Sequence, residues 1–328
     1  MRKGFISFCL LLVMIATSVV FNSCNRDDVE PVQPERVVYV VGWERNTAGE
    51  TIATLWRNGV AQRLNTEGSS MAREIYFSGN NTYIVGHIRN RATLWRNGVA
   101  QQLSDRNGST ASSIHIVGNN VYIGGRSATN VATIWRNGVA QNLTNSGDIL
   151  DIYVLNNVVY AVGREGNYTT LWRNGVAQHL SAGKGSSSDD ALAIFVSGNN
   201  VYVAGSERNT ENQRFATLWR NGVVQRLSAG TNEFSDTATD VYVSGNVVYV
   251  VGREGNYATL WRNGVAQRVS NERSIGRGFF VLGDDVYVVG EITEHIQIAT
   301  LWKNGVPQRL GNEEGRGSVA LFVFVRYK

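Results

Sequence analysis

The sequence predicts an all-β protein, a seven-bladed β-propeller of four-stranded antiparallel blades. Three observations carry this: a short unit that recurs seven times, an Asn-Gly turn inside every copy, and a first unit whose missing strand is supplied by the C-terminus. The unit reads ATLWRNGVAQRL at Ala53 to Leu64 and returns with small changes along the chain. Its tryptophans, Trp56, Trp95, Trp135, Trp172, Trp219, Trp261 and Trp302, follow one another at steps of 39, 40, 37, 47, 42 and 41 residues. Propeller blades repeat at about 40 to 50 residues, and each needs its neighbours to bury its faces.

Every unit divides into four strand-like segments, A to D, shown well by DTATDVYVSG, NVVYVVGREG, NYATLWRNG and VAQRVS in residues 236–269. The A to B joint is a short turn beginning at Gly79, Gly118 and Gly198 in three of the units. The C to D joint is Asn58-Gly59 and its six counterparts, a strong hairpin signal because a type I′ turn needs positive φ at both central residues. This turn pairs Arg57 with Val60, Trp56 with Ala61, Leu55 with Gln62 and Thr54 with Arg63. Trp56 and Leu55 then occupy opposite sheet faces, so both faces carry packing material. The seven indoles read as a structural ladder, each packing on the next blade and removing about 150–250 Å² from water.

The first unit, from Val37, holds segments B, C and D but no A, while GSVALFVFV at Gly317 to Val325 follows the last D segment. As an innermost strand that segment completes the first blade and closes a ring. An open solenoid would instead need polar capping repeats.

Ahead of the repeats, Arg2 and Lys3 precede an apolar run from Phe5 to Phe21 that ends at Asn22-Ser23-Cys24. Residues 1–23 are expected to be a lipoprotein signal peptide, Cys24 the lipidated residue and 24–36 a linker to the propeller at 37–328. An uncleaved helical anchor is the alternative, and either tethers the protein. Cys9 leaves with the peptide, so no internal disulfide is expected. Asn25-Arg26-Asp27-Asp28 resembles the acidic surface-export signal of Bacteroidota-type outer-membrane lipoproteins, which implies the outer membrane, at the cell surface or its periplasmic face. The chain's 328 residues include only 3 Pro against 35 Gly, which suits a turn-rich β domain. Its formal charge of +4, partly due to Arg2 and Lys3, comes without a basic block, so nucleic acid is not an expected partner.

Function is sought on the rim formed by the B to C and D to A connections, because the B to C loops differ from blade to blade while the opposite, tight-turn rim repeats nearly unchanged. Every B strand ends in Gly, and the next residues are Trp43, His87, Arg126, Arg164, Ser206, Arg253 and Glu291. These are expected to ring the loop-bearing rim, with Trp43, His87, Arg126, Arg164, Arg253 and Glu291 as candidate ligand-binding residues. The alternative is simply the solvated end of each strand. Arg164-Glu165 and Arg253-Glu254 are read as local ion pairs.

On the innermost strands Glu74, Asp151 and Asp240 share one matched position, where the other blades carry Ser113, Ala193, Gly278 and Ala320. Paired carboxylates can serve acid–base chemistry, but spacing between blades shows no pairing. His87, His115, His179 and His295 lie in different strand contexts without metal-site spacing, and His115 replaces an aromatic residue found in other blades (Tyr76, Tyr153, Phe195, Tyr242). No catalytic residue, metal or cofactor is assigned.

The repeat, over Val37 to Lys328, resembles uncharacterised Bacteroidota-type β-propeller lipoproteins whose blades carry an Ala-Thr-x-Trp-Lys-Asn-Gly hairpin. The resemblance brings no activity with it. The expected function is a non-enzymatic binding or scaffolding platform, monomeric and membrane-anchored through lipid, for a protein or glycan. A multivalent lectin with sugars stacked on the Trp hairpins, and an enzyme with a site at the channel mouth, are the alternatives.

Overall fold

All seven Asn-Gly pairs form two-residue hairpins, with φ of 48–51° at the Asn and 81–83° at the Gly. This left-handed geometry is open to Asn and Gly at little cost. The first hairpin pairs Arg57 with Val60, Trp56 with Ala61, Leu55 with Gln62 and Thr54 with Arg63. Asn has a further use: its Oδ1 accepts the backbone N–H of a residue at the start of strand B, as from Val38 to Asn58 at 2.8 Å and from Val121 to Asn137 at 2.8 Å. All seven blades repeat this latch.

The cation after each Trp is placed by the register of strand C on strand B. Arg57, Arg96, Arg136, Arg173, Arg220, Arg262 and Lys303 pair across strands with Tyr39, Tyr83, Tyr122, Tyr160, Tyr202, Tyr249 and Tyr287. Each lies 5.4–5.9 Å from its ring centroid. A cation–π contact of this exposed kind is worth about 0.5–1 kcal/mol. The repeated Trp-Arg-Asn-Gly string is therefore a compact set of blade-building instructions.

The computed structural model describes residues 35–65, 68–128, 130–181, 190–230, 236–311 and 316–328. The expected signal peptide, Cys24 and nearly all of the expected linker lie outside them. From Arg36 onward the chain forms seven four-stranded antiparallel sheets arranged as a β-propeller. Blade 1 is the exception in chain order: strands Arg36–Arg45, Thr51–Arg57 and Val60–Arg63 are completed by the last strand, Ser318–Tyr327. Blades 2 to 7 begin with inner strands Ser70–Ser78, Thr110–Val117, Gly147–Leu155, Asp190–Ser197, Thr237–Ser244 and Ser274–Leu282. Six of the seven outer strands have four residues and are exposed throughout. Short edges of this kind, here ending in polar or charged residues, discourage pairing with other chains.

The seven ladder indoles are 0–1% exposed. Their direction differs from the sequence expectation, for each packs on the preceding blade. Trp135 of blade 3 meets Tyr83, Val85 and Leu94 of blade 2, and Trp56 of blade 1 meets Tyr287, Val289 and Leu301 of blade 7. Leu94, one residue before Trp95, supplies the face toward blade 3. Period-two alternation separates the two faces of a strand but does not say which neighbour each one meets. The Trp56 contact with blade 7 closes the ring.

Serines at the starts of inner strands fasten one blade to the next. The backbone N–H groups of Ala53, Ala258 and Ala299 donate to Ser70, Ser274 and Ser318 Oγ at 2.8, 3.0 and 2.9 Å, and all three hydroxyls are buried. A buried amide left without such a partner would cost about 1–3 kcal/mol.

Candidate functional site

Every inner strand carries a bulge at the same place, with Leu321, Arg73, Ser112, Leu150, Leu192, Thr239 and Arg277 as the extra residues in blades 1 to 7. The B strands run one to three residues past the glycine expected to end them, and that glycine faces this bulge. A Cβ on Gly42, Gly86, Gly125, Gly163, Gly205, Gly252 or Gly290 would stand 1.8–2.1 Å from a carbonyl oxygen of the inner strand. Glycine is required there by close backbone approach.

The bulge also corrects one alignment. In blade 1 it pairs Phe322 with Val41, as Glu74 pairs with Val85, so Phe322 stands at the carboxylate position and Ala320 matches Ala72. A slip of two residues keeps every side chain on its own face, so alternation alone could not detect it.

Two layers of side chains follow along the axis. The first holds Phe322, Glu74, Ser113, Asp151, Ala193, Asp240 and Gly278; the second, nearer the tight-turn rim, holds Phe324, Tyr76, His115, Tyr153, Phe195, Tyr242 and Phe280. The second layer is a belt of rings, with centroids 5.7 Å apart for Tyr76–His115, 4.6 Å for His115–Tyr153, 5.1 Å for Tyr153–Phe195 and 4.9 Å for Phe195–Tyr242. Residues of all seven inner strands line an axial cavity of about 230 Å³ here. Burial drives His115 down to about 4, so the ring serves this belt as a neutral aromatic.

The carboxylates of blades 2, 4 and 6 answer a need of the inner strands, which are sheet edges and leave alternate amides unpaired toward the axis. Each accepts a backbone N–H of the following blade's inner strand: Ile114 to Glu74 at 2.9 Å, Ile194 to Asp151 at 2.8 Å and Phe279 to Asp240 at 3.2 Å. Ser113 donates to Asp151 at 2.5 Å. Burial raises Asp151 to about 6 and Asp240 to about 8, the latter helped by the charge of Asp151; burial and the same charge hold Glu74 well above its ordinary range. Among the described residues no three His, Cys, Asp or Glu side chains converge as ligands for one metal ion. The three acids thus act as staples between inner strands.

At the loop-side mouth the chemistry is cationic. Arg73, Arg126, Arg164, Arg214, Arg253 and Arg277 give one arginine from each of blades 2 to 7, and blade 1 contributes Trp43. Arg73 feels the charges of Arg126 and Arg277, and Arg253 those of Arg277 and Arg214. Burial, then these like charges, lower Arg73; burial is also the main cause that lowers Arg253. Asp190 bridges Arg164 at 3.2 Å and Arg214 at 2.7 Å. Glu291 takes two bonds from Arg277, at 2.6 and 3.0 Å.

The six candidate rim residues do not stand as an exposed collar. Trp43 is 8% exposed beneath the Arg45 guanidinium, and Glu291 is fully buried by its Arg277 pair. His87, Arg126, Arg164 and Arg253 are half-buried around the mouth. Arg164 reaches Asp190, and Glu165 reaches His179 at 3.2 Å; neighbouring residues on a strand face opposite ways, which separates Arg164 from Glu165. Sequence reasoning missed Arg73 and Arg277, which the bulge turns to the mouth, and Arg214, which begins a C strand; the bulge's one trace in the repeat is the glycine opposite it.

No protein-family model matches the chain, and no curated protein matches it either. Solved structures resemble it in fold. The extracellular domain of a protein assigned as a hybrid two-component system from Bacteroides thetaiotaomicron superposes with a TM-score of 0.50 at 13% identity, covering 76% of this chain and 37% of that one. A puromycin-hydrolysing peptidase of Mycobacterium tuberculosis gives 0.50 at 10% identity, over 82% and 53%. A protein assigned as a 6-phosphogluconolactonase from Bacteroides uniformis gives 0.49 at 12% identity, over 90% and 100%. At such identities the likeness concerns the fold alone.

Proposed function

We propose that this propeller is a non-enzymatic binding protein of the cell envelope, held at the outer membrane by lipid on Cys24, which takes an acidic protein or glycan ligand on its variable-loop face. The observation that supports this most is the axial mouth on that face, where six blades each contribute one arginine and their charges act on one another. Asp190 and Glu291 offset part of this charge, and the excess of arginines that remains favours anionic ligands at the mouth. The opposite rim offers seven copies of one turn, each preceded by a cation that lies over a tyrosine ring of its own blade.

Two features weigh against the alternatives. The ladder indoles are buried to within 1% of completely, so they offer no face for a sugar to stack upon. The channel carboxylates are engaged as acceptors for inner-strand amides, which supports a structural role for them. The protein acts as a monomer, with one asymmetric site instead of seven equal ones.

The test is binding of the full chain, in detergent, to arrays of acidic and neutral glycans and to extracted envelope proteins at rising NaCl. The expected result is salt-sensitive binding to acidic ligands that the double change Arg164→Gln, Arg253→Gln weakens roughly tenfold or more, as loss of charged hydrogen bonds would. Binding indifferent to both salt and that variant would overturn the proposal.

A further inference from the structure

Most arginines of the mouth have a visible partner, as Arg164 and Arg214 have Asp190 and Arg277 has Glu291. Arg73 and Arg126 differ. Arg73 is the bulge residue of blade 2 and Arg126 ends strand B of blade 3, so they project from adjacent blades at the same axial level. Neither makes a hydrogen bond or ion pair through its side chain among the described residues, and the Nε of each is shut off from solvent without an acceptor. His87 of blade 2 stands close enough to feel both charges, and its Nδ1 is likewise sealed without a partner. One carboxylate, Asp148, acts on Arg73 from across the wall, without a hydrogen bond to it.

Two like charges and three unmatched ring or guanidinium nitrogens in one half-buried wall make a costly arrangement for a protein alone. A buried donor without an acceptor forfeits its hydration, and side-by-side cations repel strongly where water is scarce. Deeper in the channel three inner-strand amides, of Ile114, Ile194 and Phe279, are each given a carboxylate acceptor; the charged nitrogens of this corner are given none. What would satisfy this corner is a group with several oxygens and more than one negative charge.

We propose that Arg73, Arg126 and His87 form a binding site for a tetrahedral oxyanion group, a sulfate or phosphate monoester, carried by the ligand. The inference rests on the loop-face reading above and deepens it by naming the recognised group. Guanidinium forks bind such oxygens two at a time, and neutral His87 can present one N–H through the appropriate tautomer. Burial and the two arginine charges keep that imidazole unprotonated, down to about 4. A singly charged carboxylate has too few oxygens to serve two forks and an imidazole at once.

The experiment is titration calorimetry of the full chain in detergent with sodium sulfate and sodium phosphate, at constant ionic strength, with acetate and chloride as controls. Saturable binding of one equivalent of sulfate or phosphate is expected, with acetate much weaker. Arg73→Gln and Arg126→Gln should each weaken it roughly tenfold or more, while Arg164→Gln changes it less than about threefold. Absence of saturable binding, or equal affinity in all four proteins, overturns the site.

Should a variant fold poorly, phenylglyoxal labelling of the unaltered protein followed by mass spectrometry gives the same answer. Sulfate should protect Arg73 and Arg126 and leave Arg57 and Arg96 reactive; uniform labelling overturns the proposal. The two readings also fail separately. Sulfate binding without any acidic macromolecule bound at the loop face removes the wider function and keeps the site. Macromolecular binding that Arg73→Gln leaves unchanged does the reverse.

Discussion

The ladder tryptophans show how one residue can be fully buried and still incompletely used. Trp135 sits against Tyr83, Val85 and Leu94, yet its Nε1 finds no acceptor, as at Trp56, Trp95, Trp219 and Trp261. Its contribution is therefore volume and apolar area more than hydrogen bonding. Trp135→Ala should cost about 3–5 kcal/mol in chemical denaturation, the range for emptying a large core site. Trp135→Phe should cost markedly less, because it removes an unsatisfied donor along with the second ring. Equal losses for the two would show that the indole N–H matters after all. The channel acids make the second case. Asp240 has a folded-state value of about 8 against 3.8 for the free side chain, so the native protein binds the proton more tightly than the unfolded chain does. The stability linked to this is fully present below about pH 4, falls as pH climbs and is gone once pH has passed about 8. Asp240→Asn removes the titration. The stability difference between variant and parent should then move in the variant's favour by roughly 1–3 kcal/mol between pH 5 and 9, at about 1.4 kcal/mol per unit of residual shift. A difference constant with pH would mean that Asp240 is ionised throughout.

The hairpin is where the sequence was most legible. Asn-Gly fixed the turn type, the turn fixed the register, and the register placed Trp56 opposite Ala61, all from local chemistry with a defined length; the pairing of Arg57 with Tyr39 belongs to strands B and C and was not foreseen. The bulge was not legible, because it depends on how an inner strand curves about the axis, a tertiary demand with no local motif. Its only trace is the glycine near the end of each B strand, which a sequence reader sees as punctuation and the structure explains as a carbonyl 1.8–2.1 Å from any added Cβ. The candidate site fared accordingly. His87, Arg126, Arg164 and Arg253 were found by position after that glycine, whereas Arg73 and Arg277 lie on the bulge itself. The turn asparagine offers a clean test of the hairpin's logic. Gly at position 263 can adopt the same φ of 49° but cannot accept the Val248 N–H, which Asn263 Oδ1 holds at 2.9 Å. Asn263→Gly should therefore keep the fold and lose about 1 kcal/mol, the net value of one hydrogen bond. No loss by thermal or chemical denaturation would assign the asparagine to turn conformation alone.

At the level of the molecule, stability is a property of closure. Seven hydrophobic clusters each join two adjacent blades, and the one between blades 7 and 1 depends on the last strand through Ala320, Val323 and Val325, which are 0–2% exposed. That strand also pairs with Arg36–Arg45 along nearly its whole length. Burying an aliphatic side chain contributes about 1.5–3 kcal/mol, and whole domains are stable by only about 5–15 kcal/mol. Deleting residues 317–328 removes several such side chains together and leaves the strand Arg36–Arg45 with an unpaired edge. The shortened chain should lose its cooperative transition, or melt at least about 10 °C lower, and associate through the open edge. Because the lost piece is a single strand, a synthetic peptide of residues 316–328 added in excess should re-enter the gap and restore both the transition and the monomer, as strand addition does elsewhere. Melting temperature and light scattering, with and without peptide, read both effects. A truncated monomer as stable as the parent would mean that the six remaining interfaces suffice, and the division of blade 1 between the two ends of the chain would then have no energetic purpose.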